Sequence, residues 1–263
     1  MRRSFLTAAA LVLALGLTVG CGSKVTEPTN GMTVQTADDL AIQAATSTNL
    51  VGGDVQLALA TTPPAGPASA RRAAPARALW DTTITWGGIT YEASRTFYDA
   101  LDSELPEYSS LAVRLRWTSR AYGTYQGPRD TASVGHNALL DVRGIQAGQD
   151  TLEFDGECRD TLQNTFRSLD GTRIRYFLWV SSTVVDAVHI LKSTIPTGGW
   201  PIDGSITYTV AADRLRTNNR TDVDAHFDAV VVVIFNGTPL PEIVVNGTFH
   251  YRWNMLTGLV TRA

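Results

Sequence analysis

The chain has almost no lysine: Lys24 and Lys192 are the only two, and arginine supplies the rest of its positive charge. It has two cysteines, Cys21 and Cys158, and a formal net charge of −3 over 263 residues. That balance lacks the basic excess of a nucleic-acid binder. Two cysteines so far apart cannot build the disulfide framework of a small secreted scaffold, so stability must come from burial, for which a chain of this size is adequate. The usual catalytic signatures are missing as well: no G-x-S-x-G elbow, H-E-x-x-H pair, glycine-rich phosphate loop or C-x-x-C occurs. Ser, His and Asp are present, but abundance does not assemble a triad.

What is there begins with an export signal. Arg2-Arg3 form a positive n-region, Leu6 to Val19 form an apolar stretch short of a comfortable membrane span, and small residues lead to Cys21. Leu17-Thr-Val-Gly-Cys21 resembles a bacterial lipoprotein signal, with Thr18 where the family pattern has Leu. The resemblance implies cleavage before Cys21 and a lipid on that residue. It also implies a place in the cell envelope, and Gly22, where inner-membrane retention uses Asp, points to the periplasmic face of the outer membrane. Arg2-Arg-Ser-Phe-Leu6 carries the core of a twin-arginine signal, which leaves the export route open. Loss of residues 1–20 removes two arginines and no acid, taking the net charge from −3 to −5. With Cys21 acylated, Cys158 has no partner and reads as a buried small hydrophobe. The hairpins Phe235-Asn-Gly-Thr and Val245-Asn-Gly-Thr-Phe-His-Tyr are similar to those of bacterial lipoproteins without an assigned activity.

Residues 21–79 are rich in Ala, Thr, Pro, Gly and Ser and read as a lipid-anchored linker. Within them Thr36-Ala-Asp-Asp-Leu-Ala-Ile-Gln-Ala-Ala45 has a capping Thr, first-turn acids and good helix formers, which predicts one short helix near 37–48. It either docks on the domain downstream or stays on the tether.

Residues 80–263 read as an all-β domain. Runs of five to ten residues alternate in polarity, turn signals recur, and no helical crossover separates them. A single antiparallel meander is expected, as a strongly curved sheet or half-barrel, with a two-sheet sandwich as the alternative. Strands are expected near Thr90–Tyr98, Leu111–Trp117, Leu139–Val142, Thr151–Phe154, Thr161–Leu169, Arg173–Val180, Val184–Leu191 and Ser205–Leu215. Asn218-Asn219 suits a two-residue type I′ turn. That register sets Ile206, Tyr208, Val210 and Ala212 opposite Val231, Ala229, Phe227 and Ala225, and Asp213 opposite Asp224.

Two candidate sites emerge. Asp213, Asp222, Asp224, His226 and Asp228 would share one face, where clustered carboxylates with a histidine suit a divalent cation or an ordinary wet surface. Trp117, Phe177, Trp179, Tyr251 and Trp253 would line the inner face, either as filled core or around an apolar ligand such as a lipid. Function is therefore expected in a non-enzymatic binding or structural module of the envelope. The alternatives are an apolar-ligand carrier and a metal-assisted hydrolase using Asp213, Asp224 and His226; no other cofactor is indicated. Beyond the membrane reached through Cys21, the protein partner or ligand is not specified by the residues.

Overall fold

A computed structural model describes residues 32–61, 80–86, 88–127, 130–171, 174–197, 200–215 and 223–263. The signal segment, Cys21 and the Asn218-Asn219 turn lie outside the described residues. One helix, α1 (Val34–Thr61), precedes β1 (Trp80–Trp86), β2 (Ile89–Tyr98), the two-residue β3 (Glu104–Leu105), β4 (Arg114–Gln126), β5 (Asp130–Arg143) and β6 (Thr151–Arg167). Then come β7 (Ile174–Leu191), a 3₁₀ turn (Lys192–Thr197), β8 (Pro201–Leu215), β9 (Val223–Ile234), β10 (Glu242–Val245), β11 (Phe249–Asn254) and β12 (Leu259–Arg262).

The fold is mostly antiparallel β, and all twelve strands join one sheet in the order β1-β2-β4-β5-β6-β7-β8-β9-β10-β11-β12, with β3 on β2. Apart from the two-residue β3, which sits on β2, each strand pairs with the next in the chain, as a meander requires, and the described strands form one sheet instead of two. Alternation is clean: β5 runs buried and open in strict turn over fourteen residues.

Two expected strand pairs merge. Residues 151–167 are one strand, and so are 174–191. Along β7 the buried residues are Phe177, Trp179, Ser181, Thr183 and Val185, and then Val188 and Ile190. The phase changes because a bulge inserts one residue at Asp186–Ala187, where Ala187 has φ 46° and its N–H donates to Asp155 Oδ1 at 2.9 Å. Gly204 on β8 fits beside it, since a Cβ there would overlap the Ala187 carbonyl oxygen. In β4 the strand starts at Arg114, so Leu111, expected within it, is 66 % exposed.

The helix is longer than expected and is not a tether. Its cap is Thr33, whose Oγ1 accepts from the Thr36 N–H at 3.2 Å, one turn before the expected capping Thr36. Every residue from Thr36 to Thr48 is buried. Thr48 donates back to the carbonyl of Ala44 at 2.8 Å, and the Thr46 hydroxyl lies 3.1 Å from the Ile42 carbonyl oxygen, which brings both hydroxyls against the helix's own backbone. Apolar periodicity alone would not place this segment in the interior, because its buried positions include Asp38, Asp39, Gln43, Ser47 and Asp54. The sheet supplies partners that the helix's own sequence does not reveal. The core thus begins within the helix, upstream of Trp80.

Candidate functional site

The sheet's inner face meets α1 through polar as well as apolar groups. Asp54, His136 on β5 and Asp160 on β6 are buried with at most 1 % exposure. His136 Nε2 lies 2.5 Å from Asp54 Oδ2, and its Nδ1 is bonded to Asp160 Oδ1. Asp54 also accepts from Trp117 Nε1 at 3.0 Å and from the Ser119 hydroxyl. Asp160 accepts from Ser47 on the helix and from Ser181 at 3.4 Å, and Trp179 Nε1 donates to Ser181 at 2.9 Å. Burial opposes charge on His136, but the two flanking carboxylates outweigh it and push its pKa up to about 10. The imidazolium is therefore the form this site holds at neutral pH. With no exposed edge, the arrangement locks helix to sheet and offers nothing to a substrate.

Other links extend the lock along the helix. Thr46 donates to Asp130 at 2.5 Å, Thr48 and Tyr208 share a hydrogen bond of 2.8 Å, and Asn49 donates to Tyr125 at 3.0 Å. Near the start of α1, Asp38 accepts from Tyr251 at 3.0 Å and pairs with Arg262. Asp39 sits 3.6 Å from Arg175 Nε, and burial pushes its carboxyl up to about 7 against the pull of Arg175 and Arg214.

The five aromatic candidates all point inward, each at most 1 % exposed. Trp117 and Tyr251 are bonded to the helix through Asp54 and Asp38. Trp179 meets Tyr208 edge-on at 6.0 Å, and Phe177 stacks on Phe227 at 6.1 Å. Trp253 Nε1 is buried without a hydrogen-bond partner among the described residues.

Asp213, His226 and Asp228 stand on the outer face in a different register. Tyr208 pairs with Val231, Val210 with Ala229 and Ala212 with Phe227, two residues from the expected alignment. A shift of two preserves the faces, so the apolar set stays inside. It also sets Asp213 opposite His226 instead of Asp224, which removes the expected clash of like charges. His226 Nδ1 lies 2.6 Å from Asp213 Oδ1, and its Nε2 lies 3.4 Å from Asp228 Oδ1; these hydrogen bonds and charges raise its pKa. The ladder steps past Asp224, since Arg214 faces Ala225 and Leu215 faces Val223. Asp222 lies outside the described residues. Among the described residues no three His, Cys, Asp or Glu side chains are grouped to hold a metal ion.

Cys158 is 1 % exposed, and burial, helped by the nearby Asp160, Asp54 and Glu157 charges, pushes its thiol well above the ordinary value. That leaves it an unreactive core group.

One exposed feature has no counterpart in the sequence reading. On the outer face of β1, β2, β4, β5 and β6 lies an open concavity of about 880 Å³. One cross-strand row forms its floor: Thr83, Glu92, Arg120, Asn137 and Arg159 face one another in turn. Ser94, Thr118, Leu139 and Glu157 form the row beside it. Arg120 and Arg159 make neither an ion pair nor a hydrogen bond among the described residues. Glu92 instead accepts from Tyr122 at 3.1 Å. Comparison with protein-family models, with curated proteins and with solved structures gives no match for this chain.

Proposed function

We propose that the chain is a lipid-anchored protein of the bacterial cell envelope, held through Cys21 at the periplasmic face of the outer membrane, and that it works as a non-enzymatic binding module. In this reading the sheet curls around α1 as a half-barrel, with the helix as its filling. The burial of α1 at every residue from Thr36 to Thr48 supports the curl, since a helix laid on a flat sheet keeps one side open.

The observation that carries the binding reading is where the ionisable groups are spent. The interior His136, Asp54 and Asp160 are engaged with one another, whereas two arginines on the outer concavity make no hydrogen bond or ion pair among the described residues. Ligand contact belongs outside. An apolar carrier would have to expel α1 and break its bonds to Trp117 and Tyr251 before Trp117, Phe177, Trp179, Tyr251 and Trp253 could meet a lipid. A hydrolase at Asp213, Asp224 and His226 would have to draw His226 away from Asp213.

Mass spectrometry of the N-terminal peptide of membrane-extracted protein tests the anchor. A mature chain starting at Cys21 with a diacylglyceryl mass, and release of a Cys21→Ser variant from the membrane fraction, are expected. An unlipidated mature chain starting elsewhere would remove the envelope reading.

A further inference from the structure

We infer that the outer concavity takes a hydroxylated ligand bearing a single anionic group, an acidic sugar in which one carboxylate or phosphate sits above Asn137 between Arg120 and Arg159. The inference rests on the binding-module reading and names its ligand class.

Neighbouring strands are about 4.8 Å apart, so the two arginine positions, separated by β5, stand about 10 Å apart with Asn137 between them. Their side chains are long enough to lean toward each other over the amide and present two planar forks to one oxyanion. A guanidinium fork matches carboxylate and phosphate oxygens in a bidentate way, and such charge-assisted bonds are stronger than neutral ones. The Asn137 amide adds further donors from below.

Around that centre the lining is short and polar. Thr83, Ser94 and Thr118 offer hydroxyls that both donate and accept, which suits a ring carrying several hydroxyl groups. Leu139, 46 % exposed, offers apolar surface to a ring face. Glu92, beside Arg120 in the same cross-strand row, and Glu157, two residues before Arg159 on β6, also line the concavity. They accept from hydroxyls and repel a second anionic group, and the lining as a whole is neutral: two arginines against two glutamates. A ligand with several anionic groups is disfavoured and one with a single such group is favoured, which is specificity by opposed charge.

Calorimetric titration of the full-length lipidated protein in detergent tests this, with glucuronic acid, glucose 6-phosphate and glucose as probes. Saturable binding of at least one acid in the millimolar range or tighter is expected, with glucose weaker by about tenfold or more. The two acids separate a carboxylate from a phosphate preference. Arg120→Gln and Arg159→Gln should each weaken binding by about tenfold, and the double variant should abolish it. Both residues are exposed, and an unchanged circular-dichroism spectrum controls for folding. Absence of binding by both acids, equal affinity for glucose, or wild-type affinity in the folded double variant would overturn the assignment. The N-terminal mass from the same preparation reports the anchor independently, so the groove and the envelope reading fail separately. A different ligand co-purifying with both wild type and double variant would keep the binding module and sink the acidic sugar.

Discussion

His136 is held between two carboxylates in a site that excludes water, and removing it strands both. An unpaired buried charge costs far more than a lost surface pair, so His136→Ala should destabilise the protein by about 3–5 kcal/mol, read from the urea midpoint. The pH response has a definite sign. The folded pKa of about 10 lies above the ordinary 6.5, so the folded state binds the extra proton. This contribution is complete below pH 6.5 and is lost as pH rises through 10. Asp39 works in the same sense lower down: its folded pKa of about 7 exceeds 3.8, so its share falls away as pH climbs through that interval. Unfolding free energy should therefore decline from pH 6.5 to 10, and the decline should flatten in His136→Ala. A rise over that range in the wild type would refute the assignment. In the sequence, His136 sits between Val134 and Ala138 on the core phase of β5, and Asp160 sits between Cys158 and Leu162 on that of β6. A charged group on the apolar phase is the readable sign of a buried network. Its partner Asp54 could not be found that way, because nothing in the sequence ties that stretch of helix to β5.

Helix α1 carries its own inefficiencies. Gly52 is exposed within it, and an added Cβ would meet nothing within 4 Å. Gly52→Ala should therefore stabilise the fold by about 0.5–1 kcal/mol, visible as a higher Tm. Thr33→Ala should cost about 1 kcal/mol by removing the cap. At the β7–β8 bulge the expected sign is opposite: Gly204 has φ 97°, and a Cβ would strike the Ala187 carbonyl, so Gly204→Ala should destabilise by more than about 1 kcal/mol. Strand existence was legible because each element alternates by itself, as at Leu115 and Trp117. Strand continuity was not, since the bulge at Ala187 reverses the phase and imitates a break. Register failed at β8–β9 for a related reason: Asn218-Asn219 reads as a two-residue reversal, but the observed ladder is offset by two residues from the alignment such a reversal sets, with an irregularity between Arg214 and Leu215. The even offset spared the core and altered only which polar residues face each other.

At the scale of the whole molecule, one sheet and one helix complete each other. The sheet's inner face carries His136, Asp160, Ser119, Tyr208 and Tyr251, which need the helix's Asp54, Ser47, Thr48 and Asp38. The helix is equally unable to stand alone, with Asp and Gln among its hidden positions. Local periodicity revealed the meander but not this mutual dependence, which joins residues as far apart in the chain as Asp54 and Trp117 or Asp38 and Tyr251. The same dependence separates the two surfaces, leaving the inside to stability and, in the proposed reading, the outside to recognition.

Native-state hydrogen exchange on α1 tests the central claim most directly, because a helix that completes the core opens only when everything opens. The amides of Ala41 to Ser47 should exchange with the same free energy as those of β5 and β6, and all should follow global unfolding as urea is added. Exchange of those helix amides several orders of magnitude faster than β5 and β6, through an opening that leaves the sheet intact, would contradict the account.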